Sequence, residues 1–324
     1  MRVAVWGLGS VGTRAARQLA STDAVTEIVL RDERKDRVSE VLASLGDKAV
    51  AAPGDAPITA DVVILAEAPR RQVAAARALV EAGTSVVTTT DVLQGVSELL
   101  DLGPEAEARN VTVAVGATFS PGLTCLLARL AADRLDTVDE IHVSRLGTGG
   151  PACARQHHRS LSGTALDWRD GGWQRRRAGS GRELNWFPDP IGAADCYRAD
   201  LPDPLLLVPA FPGVGRVTAR LAATRRDRLT SRLPMLRPPH AEGGLGAVRV
   251  EVRGRSVTGI EVAVLGAMDR PGVAAGAVAA ITAVEIAAGR ARRPGAGGLA
   301  TLLDAKIALA ELARRGVKVA SFAP

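Results

Sequence analysis

The feature that most limits how this chain can fold lies at its start. An apolar run, Val3-Ala4-Val5-Trp6, leads directly into Gly7-Leu8-Gly9-Ser10-Val11-Gly12 and then into a helix-forming stretch, Thr13 to Ala20. Strand, glycine turn and helix in that order bring backbone where side chains would block it. Gly7 makes the tight turn, Gly9 lets backbone approach a pyrophosphate, and Gly12 lets the helix pack closely on the strand. Phosphate then meets the unpaired amides of the helix N-terminus. Gly7, Leu8, Gly9, Ser10, Val11 and Gly12 are therefore candidate cofactor-binding residues.

A second apolar run, Thr26-Glu27-Ile28-Val29-Leu30, ends at Arg31-Asp32. Asp32 falls about 20 residues after the last glycine of the turn, where a carboxylate accepts hydrogen bonds from both ribose hydroxyls of a dinucleotide. That favours NAD, because a carboxylate repels the additional phosphate of NADP. Arg31, Arg34 and Lys35 surround Asp32, and arginine in this loop is how a 2′-phosphate is accommodated, so NADP stays open as the alternative. Ala66, at the end of the next apolar run, and Thr90, beyond the following strand, complete the expected cofactor set.

The rest of the first third repeats the pattern. A polar helix is expected near Lys35 to Leu45, a strand at Asp61 to Ala66, an alanine-rich helix at Gln72 to Ala82, and strands at Ser85 to Thr89 and Val111 to Val115. Continuous apolar runs alternating with helices imply parallel strands buried on both faces and joined by right-handed crossovers. The expected class is α/β: a doubly wound parallel Rossmann sheet over residues 1–118, with a mixed-sheet α+β second domain over 119–268 for substrate and dimerisation. Within that second domain, Ser120-Pro121 reads as a helix start, with the helix running to about Asp133. Glu140 to Arg145 reads as a half-buried strand, and Val248 to Arg253 with Val257 to Leu265 as a hairpin. Residues 269–324 are expected to be helices, Pro271 to Ala288 and Leu299 to Arg314, returning to the Rossmann domain.

Composition removes other classes. The 324 residues are 47% hydrophobic and 23% charged, a globular balance, and no apolar run approaches the length needed to span a bilayer. With no export signal and three scattered cysteines, Cys125, Cys153 and Cys196, a reducing cytoplasm is expected. The net charge of +6 raises the question of nucleic acid, but Lys35, Lys48, Lys306 and Lys318 are the lysines and arginine supplies the rest. That is the usage of a GC-rich coding sequence, and aromatics at 3% offer few stacking platforms. The expected partners are a small-molecule substrate and a second copy in a homodimer, without nucleic acid or membrane. No His, Cys, Asp or Glu spacing suits a metal.

Beyond the glycine turn and Asp32, three further segments carry a resemblance: Val86-Val87-Thr88-Thr89-Thr90-Asp91, Gly116-Ala117-Thr118-Phe119-Ser120-Pro121-Gly122-Leu123, and Glu311 to Val319 with its Arg-Gly-Val. Through them the chain resembles the saccharopine dehydrogenase-like oxidoreductases over most of its length, weakly in residues 147–240. The resemblance implies a Rossmann domain followed by a mixed-sheet domain. It also implies an NAD(P)-dependent enzyme that transfers hydride at an amine or imine C–N bond of an amino-acid-derived substrate. Where related sugar dehydrogenases carry a catalytic lysine in Glu-Lys-Pro, this chain has Thr88-Thr89-Thr90-Asp91. The alternative reading is a nucleotide-binding regulatory or scaffold protein that has lost turnover.

Hydride transfer needs no protein nucleophile, only a way to hold the substrate and to move a proton. His157 and His158, bracketed by Arg155 and Arg159 after Gly147-Thr148-Gly149-Gly150-Pro151, form the segment that offers imidazole and guanidinium together. The two histidines are candidate proton carriers, with His157 slightly preferred, and the two arginines a candidate clamp for an anionic substrate, all on an expected loop. Tyr197, the sole phenol, is a further catalytic candidate. His142, alternating with Ile141 and Val143, is expected at the surface, and Trp168, Trp173 and Trp186 wall a cavity or fill a core.

Overall fold

The computed structural model describes residues 1–52, 58–235, 238–240 and 242–322. From the N-terminus come β1 (Arg2–Trp6), α1 (Ser10–Ala20), β2 (Glu27–Arg31), α2 (Lys35–Leu45), β3 (Ala49–Ala51), β4 (Val62–Leu65), α3 (Pro69–Glu81), β5 (Ser85–Thr88), α4 (Leu93–Leu100), α5 (Gly103–Ala108) and β6 (Thr112–Ala114). There follow α6 (Leu123–Ala132), β7 (Thr137–Leu146), α7 (Pro151–Ser160), β8 (Thr164–Arg169), β9 (Gly172–Arg177), β10 (Glu183–Phe187), β11 (Gly192–Arg198), α8 (Asp203–Leu207), β12 (Arg216–Ala222) and α9 (Arg225–Thr230). The chain closes with β13 (Gly246–Ser256), β14 (Gly259–Asp269), α10 (Pro271–Ala287), β15 (Gly295–Gly297), α11 (Leu299–Leu302), α12 (Ala305–Arg314) and β16 (Lys318–Phe322). Two compact units divide these elements: Met1–Thr118 with Val273–Asp304, and Phe119–Gly272 with the chain from Ala305 onward.

The first unit is built on a parallel sheet in the order β15-β6-β5-β4-β1-β2-β3. Val3, Ala4, Val5, Ile28, Val29, Leu30 and all of Val62–Leu65 are buried, which is why these strands read as unbroken apolar runs. Each large aliphatic side chain so buried contributes roughly 1.5–3 kcal/mol. α1 presents Gly12, Ala15, Ala16 and Leu19 to the sheet, one face of a helical period. α10 carries only Thr282 and Glu285 as polar side chains, and within this unit Gly276 comes so close to α1 that a Cβ would lie 2.6 Å from the Arg14 Cβ. The strand order reverses between β1 and β4, and ligands of open α/β sheets bind outside the carboxyl ends of the strands at such a reversal. The glycine turn and Ala66 both stand there.

The second unit holds a mixed sheet in the order β10-β11-β12-β7-β13-β14-β16, with the β8–β9 hairpin branching from β12. β12 and β7 run parallel; the other pairs along this path are antiparallel. α6 is buried from Leu123 through Ala128 and packs on β13 and β14.

Several expectations need correction. β3 and β15 are three-residue strands too short to leave a periodic signal, yet both extend the first sheet. Ser120 does not start α6: the helix begins at Leu123 behind Gly122, whose φ of +110° favours glycine, and the Ser120 side chain is used elsewhere. The stretch 147–159 is largely helix, since Pro151 suits a first turn and α7 then runs to Ser160. The expected helix over Leu299 to Arg314 is two, α11 and α12, separated at Leu303-Asp304. Residues 269–324 are not all helical and do not all join the first unit. From Ala305 onward they belong to the second, where β16 pairs antiparallel with β14. His142, expected at the surface, is half-buried: its Nδ1 meets the Thr218 hydroxyl at 2.9 Å and its Nε2 meets Glu140 at 2.8 Å. Trp168 and Trp173 meet edge to face at 4.9 Å, whereas Trp186 is 63% exposed.

Candidate functional site

In the first unit the glycines of the turn have three separate tasks. Gly7 has φ +89°, and a Cβ there would stand 2.6 Å from the Ala66 carbonyl carbon. The neighbouring backbone is tied down, with Gly7 N–H donating to the Arg31 carbonyl at 2.8 Å and Ala66 N–H to the Trp6 carbonyl at 2.7 Å. At Gly12 a Cβ would fall 1.8 Å from the Gly7 carbonyl oxygen, so any side chain would force α1 off the turn. Gly9 is different: a Cβ there would meet nothing within 4 Å. Gly9 is also the N-cap of α1 and no side chain caps the helix, so the amides of Ser10 and Val11 stand at an uncapped positive helix end. Open space at Gly9 beside that end fits a pyrophosphate.

Asp32 is bound into the same turn. Its side chain is 9% exposed; Oδ2 accepts from the Leu8 amide at 2.6 Å and Oδ1 from the Arg34 amide at 2.8 Å. A carboxylate has about four lone-pair positions, so two amides leave capacity for ribose hydroxyls. The basic residues around it are partly engaged: the Arg31 guanidinium lies over the Trp6 ring at 4.6 Å, and Arg34 pairs with Asp36. Ala66 contributes backbone at the end of β4, while the Thr90 side chain is buried and its hydroxyl accepts from the Val92 amide at 3.3 Å at the entry to α4. Glu67, next to Ala66, has its carboxyl raised above the usual range by burial.

In the second unit α7 separates the residues that sequence placed on one loop. Arg155 and Arg159 are exposed and one helical turn apart, on a common face. His158 directs Nε2 at the Thr230 carbonyl, 2.8 Å away. His157 turns inward, and its buried Nδ1 has no hydrogen-bond partner. Burial, then the Arg145 guanidinium, depress its pKa to about 3, so this imidazole is neutral at physiological pH. Tyr197 lies on β11, 3% exposed, with the Arg228 guanidinium 4.1 Å above its ring.

Two buried groups escaped the sequence reading. Asp203, at the start of α8, is fully buried and accepts from the hydroxyls of Ser120 at 3.1 Å and Thr124 at 2.6 Å. Arg145 on β7, also buried, donates from Nη1 to the Ser120 carbonyl at 2.9 Å. Burial raises the Asp203 carboxyl, against the opposing pull of Thr124, Arg145 and Ser120. Ser120 and Asp203 are 83 positions apart, and no local pattern announces such a partner. Among the described residues no cluster of His, Cys, Asp and Glu has the geometry of a metal site. No helix described is long and apolar enough to cross a membrane.

No protein-family model and no curated protein matches this chain. Solved structures do match. Apo saccharopine dehydrogenase (L-Glu forming) from Saccharomyces cerevisiae is similar over 99% of this chain and 100% of its own, with a TM-score of 0.71 at 14% identity. A probable dehydrogenase from Thermotoga maritima is similar over 99% of this chain and 98% of its own, with a TM-score of 0.51 at 12% identity. The chain therefore has a saccharopine dehydrogenase-like fold, as its motifs led one to expect.

Proposed function

We propose that the protein is an NAD(P)-dependent oxidoreductase, with NAD favoured, that transfers hydride at an amine or imine C–N bond of a small amino-acid-derived substrate. The observation that carries this reading is the Asp32 carboxylate bound to the Leu8 amide beside the open Gly9 position, at the point where the strand order reverses. Shared fold with an L-Glu-forming dehydrogenase supports the C–N class of reaction. We read the protein as cytoplasmic and homodimeric.

The backbone of Gly7, Leu8, Gly9, Ser10, Val11 and Gly12 would hold the pyrophosphate, and Asp32 the adenosine ribose, with Arg31, Ala66 and Thr90 flanking. When bound, NAD(P) supplies the hydride acceptor or donor. In this reading Arg155 and Arg159 bind a substrate carboxylate, their exposed guanidiniums matching its two oxygens. His158 moves the proton: donating from Nε2 to the Thr230 carbonyl leaves Nδ1 as the basic atom of its neutral ring. His157, although the first choice on sequence, is replaced in that role, since a ring held neutral down to about pH 3 is a poor base near neutrality. His157 on α7 and Tyr197 on β11 are then positioning residues.

Fluorescence titration with NADH and NADPH, followed by a screen of NADH and NADPH oxidation against oxo-acid and amine pairs, tests the proposal. Saturable binding with turnover on one such pair is the expected result. Failure of both dinucleotides to bind would reject it, and binding without turnover on any pair would favour a regulatory role.

A further inference from the structure

The second unit contains a cavity of about 640 Å³ whose lining carries four arginines, Arg177, Arg225, Arg228 and Arg232, and no acidic side chain. Leu161 and Leu229 supply apolar surface to the same cavity. Its size falls within the roughly 300–1,000 Å³ typical of small-molecule sites. Three of the guanidiniums, those of Arg177, Arg225 and Arg232, have no ion pair or hydrogen bond among the described residues, and all three residues are exposed. The fourth is fixed, because Arg228 donates from Nε to the Gly179 carbonyl at 2.8 Å and lies over the Tyr197 ring. The acid of α9, Asp227, is occupied at the helix start: its Oδ2 accepts from the Thr224 amide at 2.9 Å and from the Thr224 hydroxyl at 2.7 Å.

Elsewhere in this chain arginine is commonly paired: Arg198 with Asp167, Arg220 with Glu183, Arg249 and Arg253 with Glu251, Arg290 with Glu285. Like charges gathered around one concavity without an acid repel one another, and a ligand with several negative charges relieves that repulsion. Guanidinium forks suit the paired oxygens of phosphate and carboxylate. The cavity offers no exposed aromatic face on which a base could stack, since Tyr197 is buried beneath Arg228, which disfavours single-stranded nucleic acid.

We propose that this cavity is a binding site for a small organic polyanion carrying two or more phosphate or carboxylate groups, distinct from the glycine turn of the first unit. It goes beyond the redox reading and does not depend on it. The test is calorimetric titration of the full-length protein at low salt, with pyrophosphate as the phosphate probe, citrate as the carboxylate probe and acetate as the control. Saturable one-to-one binding of pyrophosphate, citrate or both, weakened as salt rises, is expected, and acetate should not saturate. The preferred probe tells which group the site takes. The double substitution Arg177→Gln, Arg232→Gln should weaken that binding at least tenfold while leaving NADH affinity unchanged, and Arg232→Lys should lose less. Gly9→Asp should leave it intact. The proposal is overturned if neither probe saturates, if the double variant binds as the unaltered protein does, or if a single-stranded oligonucleotide binds more tightly than either probe and loses affinity in the same variant.

Discussion

The amide of Leu8 donates to Oδ2 of Asp32 across 2.6 Å, so the carboxylate that ends the second strand is part of the glycine turn that follows the first. One residue therefore holds the turn in shape and, in the proposed function, selects the ribose. Asp32→Ala removes both roles. It should lower NAD affinity more than NADP affinity and cost stability of about 1–3 kcal/mol, the penalty of leaving a buried amide unsatisfied. Fluorescence titration and urea unfolding read the two effects separately, and equal loss of both dinucleotides would mean Asp32 does not meet the ribose.

The three glycines should respond differently to substitution. Gly12→Ala places a methyl 1.8 Å from the Gly7 carbonyl oxygen and should destabilise the fold by about 1–3 kcal/mol or more, as overpacking does. Gly9→Ala has open space around it and should fold normally. Gly9→Asp should also fold but lose NADH binding, because a negative charge then stands where the pyrophosphate is proposed. Thermal unfolding beside NADH titration checks the contrast.

His157 gives stability a pH dependence of known sign. Its folded pKa of about 3 lies below the ordinary 6.5, so between those values the unfolded chain takes up a proton that the folded protein refuses. The contribution is full above pH 6.5 and is lost as pH falls towards 3. One proton corresponds to a slope of up to about 1.4 kcal/mol per pH unit. Urea unfolding at pH 7 and pH 5 should show a larger loss for the unaltered protein than for His157→Leu, and parallel losses would remove His157 as the cause.

Asp203 should matter through the buried hydroxyls it accepts from. Burial raises its pKa, and its oxygens accept from Ser120 and Thr124, so Asp203→Asn keeps an acceptor of the same shape. Asp203→Leu strands two buried hydroxyls and should cost roughly 1–3 kcal/mol for each. Denaturant midpoints of the two variants, with Asn the milder, check this.

Within the proposed reaction, His158→Ala should lower kcat by roughly 10² to 10⁴ while NADH affinity is unchanged. Arg155→Ala and Arg159→Ala should instead raise KM for the substrate with smaller effects on kcat. If His157→Gln, rather than His158→Ala, abolished turnover with NADH affinity intact, the proton carrier would be reassigned to His157.

What the sequence determined by itself was local. Gly7 to Gly12 between an apolar run and a helix, and Asp32 at the end of the next run, were legible because strand, turn and capping preferences depend on near neighbours. The same holds for α2, α10 and the pairing of β13 with β14, although the hairpin turns at Val257-Thr258 and not at the expected Gly254 to Ser256, which are paired strand. Only the tertiary structure decided that Gly9 is open while Gly7 and Gly12 are closed by Ala66 and by the turn itself, and that Ser120 serves Asp203 rather than capping a helix. It also decided that His157 is driven neutral by burial and Arg145 while its neighbour His158 reaches Thr230. Each of these depends on partners distant in the chain, and burial, desolvation and charge pairing act on distances in space that no residue spacing encodes.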